Sequence, residues 1–91
     1  FEVYFSDGEQ ALRTIRESAT SGDLLTLRRR AHQQKGATAM IGATGLAAMF
    51  ATIERRANDG QVPDEADLDR LEQRVAKLKL EADALLAGRA N

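Results

Sequence analysis

Cysteine is absent, and histidine occurs once in the 91 residues. Disulfides and thiolate metal sites are therefore excluded. With one imidazole, only carboxylates remain as further ligands, so neither a metal site nor a bound cofactor is expected. The missing cysteine agrees with a reducing, cytoplasmic location. Aromatic residues are 4% of the chain and proline occurs once. With so few sheet-forming side chains and no stretch alternating with period two, a β-sheet core is not expected. No apolar run approaches the ~20 residues that span a bilayer, and no signal-peptide pattern is visible, so direct membrane contact is not expected either. Neither sign of charge dominates: 13 Lys and Arg stand against 14 Asp and Glu, a formal net charge of -1. A general nucleic-acid binder needs a net basic face, and only the short run Arg28 to Arg30 resembles one, so nucleic acid is not an expected partner.

What is present is helical. Alanine, leucine, arginine and glutamate are plentiful, and apolar residues recur at intervals of three and four. The chain, 1–91, has the size of one domain, able to bury roughly 60–65% of its unfolded surface without staples. Its start at Phe1, with no initiator methionine, is expected of a domain taken from a longer chain. In a first helix, Phe5, Leu12, Ile15 and Ala19 share a stripe, and Asp7-Gly8 predicts a break or kink near its start. Ser21-Gly22-Asp23 closes that helix and caps a second, running from about Asp23 to about Ile41. A third, from about Ala43 to about Asn58, carries Leu46, Met49, Phe50, Ile53 and Ala57, and Gly60 follows it. Pro63 and Asp64 start a fourth, in which Leu68, Leu71, Val75, Leu78, Ala82 and Leu85 form one seam. Residues 87–91 are expected to fray. Short loops favour antiparallel neighbours, so the expected fold is all-α: an antiparallel up-and-down four-helix bundle with a short or kinked N-terminal helical segment.

The single histidine stands in Arg28-Arg29-Arg30-Ala31-His32-Gln33-Gln34-Lys35-Gly36, on the second helix. At about 100° per residue with His32 at zero, Leu24, Leu27, Ala31, Thr38 and Ile41 cluster between about 180° and about 280°, the buried arc. His32 lies outside it, beside Arg28 at about 320°, Lys35 at about 300°, Gly36 at about 40° and Ala39 at about 340°. The ring should therefore project outward among cations and small residues. Imidazole is basic yet largely neutral near neutral pH, so one ring nitrogen can attack phosphorus. Lys35 and nearby arginines can offset phosphoryl charge and steer an acidic partner. Gly36 leaves room for that partner's approach. Little else is needed, because phosphoryl transfer depends mainly on positioning and charge stabilisation, and the partner can bring the metal.

His32-Gln33-Gln34-Lys35-Gly36, followed by Gly42, resembles the signature of the histidine-containing phosphotransfer (HPt) domains of multistep phosphorelays: histidine, lysine at plus three, glycine at plus four, glycine at plus ten. Ser21-Gly22-Asp23-Leu24-Leu25, Leu46 and Ile53-Glu54 also fall where that family has a helix junction and apolar contacts, so the likeness covers nearly the whole chain. The resemblance implies a phosphoryl carrier rather than an enzyme, with His32 as acceptor through Nε2 and Lys35 contacting the phosphoryl group. Gly36 would give access to the receiver domain of a response regulator, whose own divalent metal assists. Arg28, Arg29 and Ala39 join Gly36 in the expected partner-binding surface, and Glu54, at plus twenty-two, would bond the other ring nitrogen and orient the ring. The parent implied is a hybrid sensor histidine kinase, with this domain its C-terminal, cytoplasmic and monomeric part, whether or not that parent is anchored in an inner membrane. The chain departs from the family at plus two, where Gln34 replaces the usual apolar residue, and after Gly42, where Ala43 replaces the aromatic of the chemotaxis kinases.

Other readings attach to the same residues. Arg28 to Arg30 also suit a plain solvated face. Met40, Met49 and Phe50 are most simply core. The glycines between Gly36 and Gly45 follow no strand and contain no phosphate-loop motif. The whole could instead be a structural bundle pairing through the Leu68 to Leu85 seam, or the phosphotransfer part of a chemotaxis-type kinase phosphorylated from ATP by a separate domain.

Overall fold

The computed structural model describes the backbone of residues 1–90 and the side chains of residues 1–88. Four helices follow in order: α1 (Glu2–Ser21), α2 (Leu24–Met40), α3 (Thr44–Asn58) and α4 (Glu65–Ala90). Each packs against its neighbours in sequence, and α4 returns to α1, closing a ring. Cross-helix bonds fix the directions. Tyr4 meets Thr38 and Asp7 meets Arg30 between α1 and α2, while Arg16 reaches Glu65, Asp69 and Glu72 on α4. As one strand of each pairing rises the other falls, which is the expected antiparallel up-and-down bundle.

The turns follow from local chemistry. Gly22 takes a φ of 76°, a left-handed conformation open to glycine at little cost, and reverses the chain after α1. Asp23 then caps α2 by accepting the Thr26 amide at 3.1 Å. Gly42, with φ 82°, performs the same reversal between α2 and α3. Asp64 accepts the Asp67 amide at 2.8 Å and starts α4, as Pro63-Asp64 predicts.

The core comprises Phe5, Ile15, Leu27, Ala31, Leu46, Phe50, Ile53, Ala57, Leu68, Leu71 and Val75. Burying each large member contributes roughly 1.5–3 kcal/mol. On α2 the enclosed residues are Leu27, Ala31, Gln34 and Thr38. Leu24 and Ile41 of the expected arc are only half-buried.

Three expectations need correction. α1 is neither short nor interrupted at Asp7-Gly8: it is one helix of 20 residues. Gly8 is buried there facing α2, where a Cβ on it would stand 3.4 Å from the Gln34 amide nitrogen. The α4 seam stops short of Leu85, which is exposed. The turn between α2 and α3, at Gly42 to Thr44, lies beside Arg74 to Glu81, so the following residues of α4 run beyond it. Residues 87–90 form the end of that helix, and Asn91 lies outside the described residues. Met40, expected in the core, is the last residue of α2 and is 89% exposed.

Candidate functional site

α2 and α3 form an antiparallel pair about the turn at Gly42-Ala43, and this sets His32 opposite Glu54. The His32 side chain is 64% exposed, and its Nδ1 lies 2.6 Å from Glu54 Oε2. Glu54 is tucked between the helices, 19% exposed, and its second oxygen accepts from Lys35 Nζ at 2.7 Å. One carboxylate thus serves two side chains that are neighbours one turn apart on α2.

The Lys35 ammonium holds the Glu54 carboxyl below its ordinary range; partial burial opposes this and the His32 ring adds to it. Glu54 is consequently an anion throughout the neutral range. Its contribution to stability is present above the ordinary carboxylate range and disappears only as pH falls through the depressed value. An ionised carboxylate has no proton to give, so His32 Nδ1 must be the donor in the 2.6 Å bond. On a neutral ring that assigns the lone pair to Nε2, the nitrogen turned away from Glu54. The arrangement offers a nucleophile at the surface whose orientation and tautomer are set from beneath.

The surroundings are open. Gly36 is exposed, and a Cβ placed on it would have no atom within 4 Å. Ala39, Arg28 and Arg29 are exposed as well. Arg30 differs: it is half-buried and bonded to Asp7 of α1 at 3.0 Å, which removes it from the face that carries His32. The structure therefore gathers His32, Lys35 and Glu54 into one bonded cluster, with Arg28, Arg29, Gly36 and Ala39 around it on the exposed side of α2.

One bond is not visible in the sequence, and one flagged residue finds its explanation. Lys35 is not left standing free beside the imidazole but is bonded to Glu54, a partner nineteen positions away (54 less 35) that only the antiparallel pairing reveals. Gln34 is fully buried on the side of α2 that faces Gly8 of α1, and its Oε1 has no partner among the described residues. An unsatisfied buried acceptor costs roughly 1–3 kcal/mol, which accounts for an apolar residue being usual there in the similar family. Among the described residues no cluster of three or more histidine, aspartate or glutamate side chains could hold a metal ion, and no helix is long and apolar enough to cross a membrane.

Against known families, residues 1–88 match the model of the Hpt domain. That match spans nearly the whole chain, and the chain belongs to the Hpt domain family. Members are histidine phosphotransfer carriers of two-component phosphorelays, interacting with the receiver domains of response regulators, and are not themselves catalysts. No curated protein and no solved structure matches the chain.

Proposed function

We propose that His32 takes a phosphoryl group on Nε2 from the aspartyl phosphate of one receiver domain and yields it to the aspartate of another. The observation that carries this reading is the exposed imidazole whose Nδ1 is tied to Glu54 at 2.6 Å, leaving Nε2 towards solvent. In the forward step the Nε2 lone pair forms the N–P bond as the P–O bond to the donor breaks, and the donor leaves as a carboxylate. No proton need move. The ring keeps its Nδ1 hydrogen and gains formal positive charge, which the Glu54 carboxylate at its other edge stabilises. The reverse step forms a P–O bond to the accepting carboxylate and restores the neutral ring.

Lys35 lies within a turn of the acceptor and can turn from Glu54 Oε1 to the phosphoryl oxygens when they arrive, offsetting their charge. Arg28 and Arg29 attract the acidic partner, and Gly36 and Ala39 let it come close. A divalent metal held by the receiver would supply the remaining charge neutralisation, in keeping with a chemistry that rests on positioning. The domain is thus substrate and carrier of the phosphoryl group.

Incubation with a receiver domain carrying labelled phosphate tests the reading. The label should move to this domain and be lost in acid but kept in base, as a P–N bond to imidazole behaves. A transferred label stable in acid would place the phosphate on a hydroxyl group and overturn the assignment.

A further inference from the structure

On the exposed side of α2, two large apolar side chains have no task in the fold. Leu25 is 49% exposed and Met40 89% exposed. Among the described residues they are the exposed large hydrophobics of α2 and α3; the others are Phe1, before α1, and residues on α1, α4 and the segment between α3 and α4. Single exposed apolar residues are ordinary and carry no meaning alone. Their placement is what distinguishes these two. At about 100° per residue, Leu25 lies at about 20° and Met40 at about 80° from His32, with Arg29 at about 60° and Gly36 at about 40° in the same sector. Leu25, Arg29, His32, Gly36 and Met40 therefore form one stripe. His32 stands near its middle, about 10 Å along the axis from Leu25 and about 12 Å from Met40.

The charge of the helix states what this stripe can receive. α2 holds Arg28, Arg29, Arg30 and Lys35 and no carboxylate, although the whole chain is slightly acidic. Arg30 is matched by Asp7 and Lys35 by Glu54, so the surplus lies at Arg28 and Arg29, between Leu25 and the imidazole. A surface with a cationic centre and an apolar residue at each end fits a partner with an acidic pocket flanked by apolar surface. A phosphoryl donor that holds a divalent metal has such a pocket, because hard cations are bound by carboxylates. Methionine and arginine are both enriched in protein–protein interfaces relative to the rest of the surface.

We infer that Leu25 and Met40 are the apolar anchors of the docking face, gripping the receiver on either side of its acidic pocket and so determining which receivers His32 serves. The inference rests on the phosphotransfer reading above. It assigns residues outside the chemistry a role in recognition: Leu25 and Met40 govern encounter and register, while His32, Lys35 and Glu54 govern the reaction.

The test is the double variant Leu25→Gln, Met40→Gln, in which both positions are exposed and glutamine is at home in a helix. Two donors are compared: a phosphorylated receiver domain, chosen from a panel because it labels the wild type, and phosphoramidate, a donor too small to need a docking surface. The expected result is a fall of about tenfold in kcat/KM with the receiver, carried mainly by KM, with phosphoramidate labelling and thermal midpoint unchanged. Undiminished transfer from the receiver would overturn the inference while leaving the phosphotransfer reading intact. Equal losses with both donors would also overturn it, by showing that these residues act on the imidazole itself. Label persisting after His32→Gln in the same assay would remove the phosphotransfer reading, and this inference with it.

Discussion

Replacing His32 with glutamine is expected to abolish transfer from a phosphorylated receiver, to below one part in a thousand of the wild-type rate, while the domain stays folded. The loss is total because no other side chain in the sequence offers an imidazole. Lys35, one turn along α2, donates to Glu54 at 2.7 Å, and an ammonium has no lone pair to attack with. Folding should be indifferent, because the ring is largely exposed and glutamine is a good helix former. Stability measured by thermal or urea unfolding should stay within about 0.5 kcal/mol, as for other surface substitutions. Radiolabel remaining in the variant would mean that the phosphate enters elsewhere.

The second large effect is expected at Gly36, where stability and function should move in opposite directions. Glycine inside a helix is worth roughly 0.5–1 kcal/mol less than a residue with a side chain. A Cβ at this position meets nothing within 4 Å, so Gly36→Gln has no internal clash to offset that gain. The variant should therefore unfold at a higher temperature than the wild type. Its side chain would also stand one turn from His32, in the space through which a receiver must approach, and a misplacement of the reacting atoms by about 1 Å can cost on the order of a hundredfold. Transfer from the receiver should fall at least tenfold. A more stable domain with undiminished transfer would show that partners arrive from another side; a destabilised one would show a contact hidden from the folded structure.

Much of this site can be read before any coordinates are seen, and the reasons are physical. Helix periodicity gives the four elements, and Gly22, Asp23 and Asp64 mark their ends because left-handed turns and orphan amides demand those side chains. The pairing of His32 with Glu54 is implied in the sequence only by the family resemblance; in the structure each lies eleven residues from Ala43, and the antiparallel hairpin turning there brings them face to face (43 less 32, 54 less 43). The misreadings come from tertiary facts that periodicity does not contain. Asp7-Gly8 looks like a break because glycine is a poor helix former, yet α1 runs through it unbroken, with Gly8 buried against α2. Leu85 continues a regular seam, but a seam does not record how far the other helices extend. Met40 matches a core pattern as a residue type, while its angular position, close to that of His32, places it outside. The Lys35 to Glu54 bond depends on where two flexible side chains settle, and no spacing on one helix announces it.

The most direct test of the central claim is to follow both ring nitrogens of His32 by long-range proton–nitrogen NMR, before and after phosphorylation. The account predicts a resting ring with its proton on Nδ1, bonded to Glu54, and a phosphorylated ring with the P–N bond on Nε2 and the Nδ1 proton still in place. A resting proton on Nε2, or phosphate appearing on Nδ1, would contradict it.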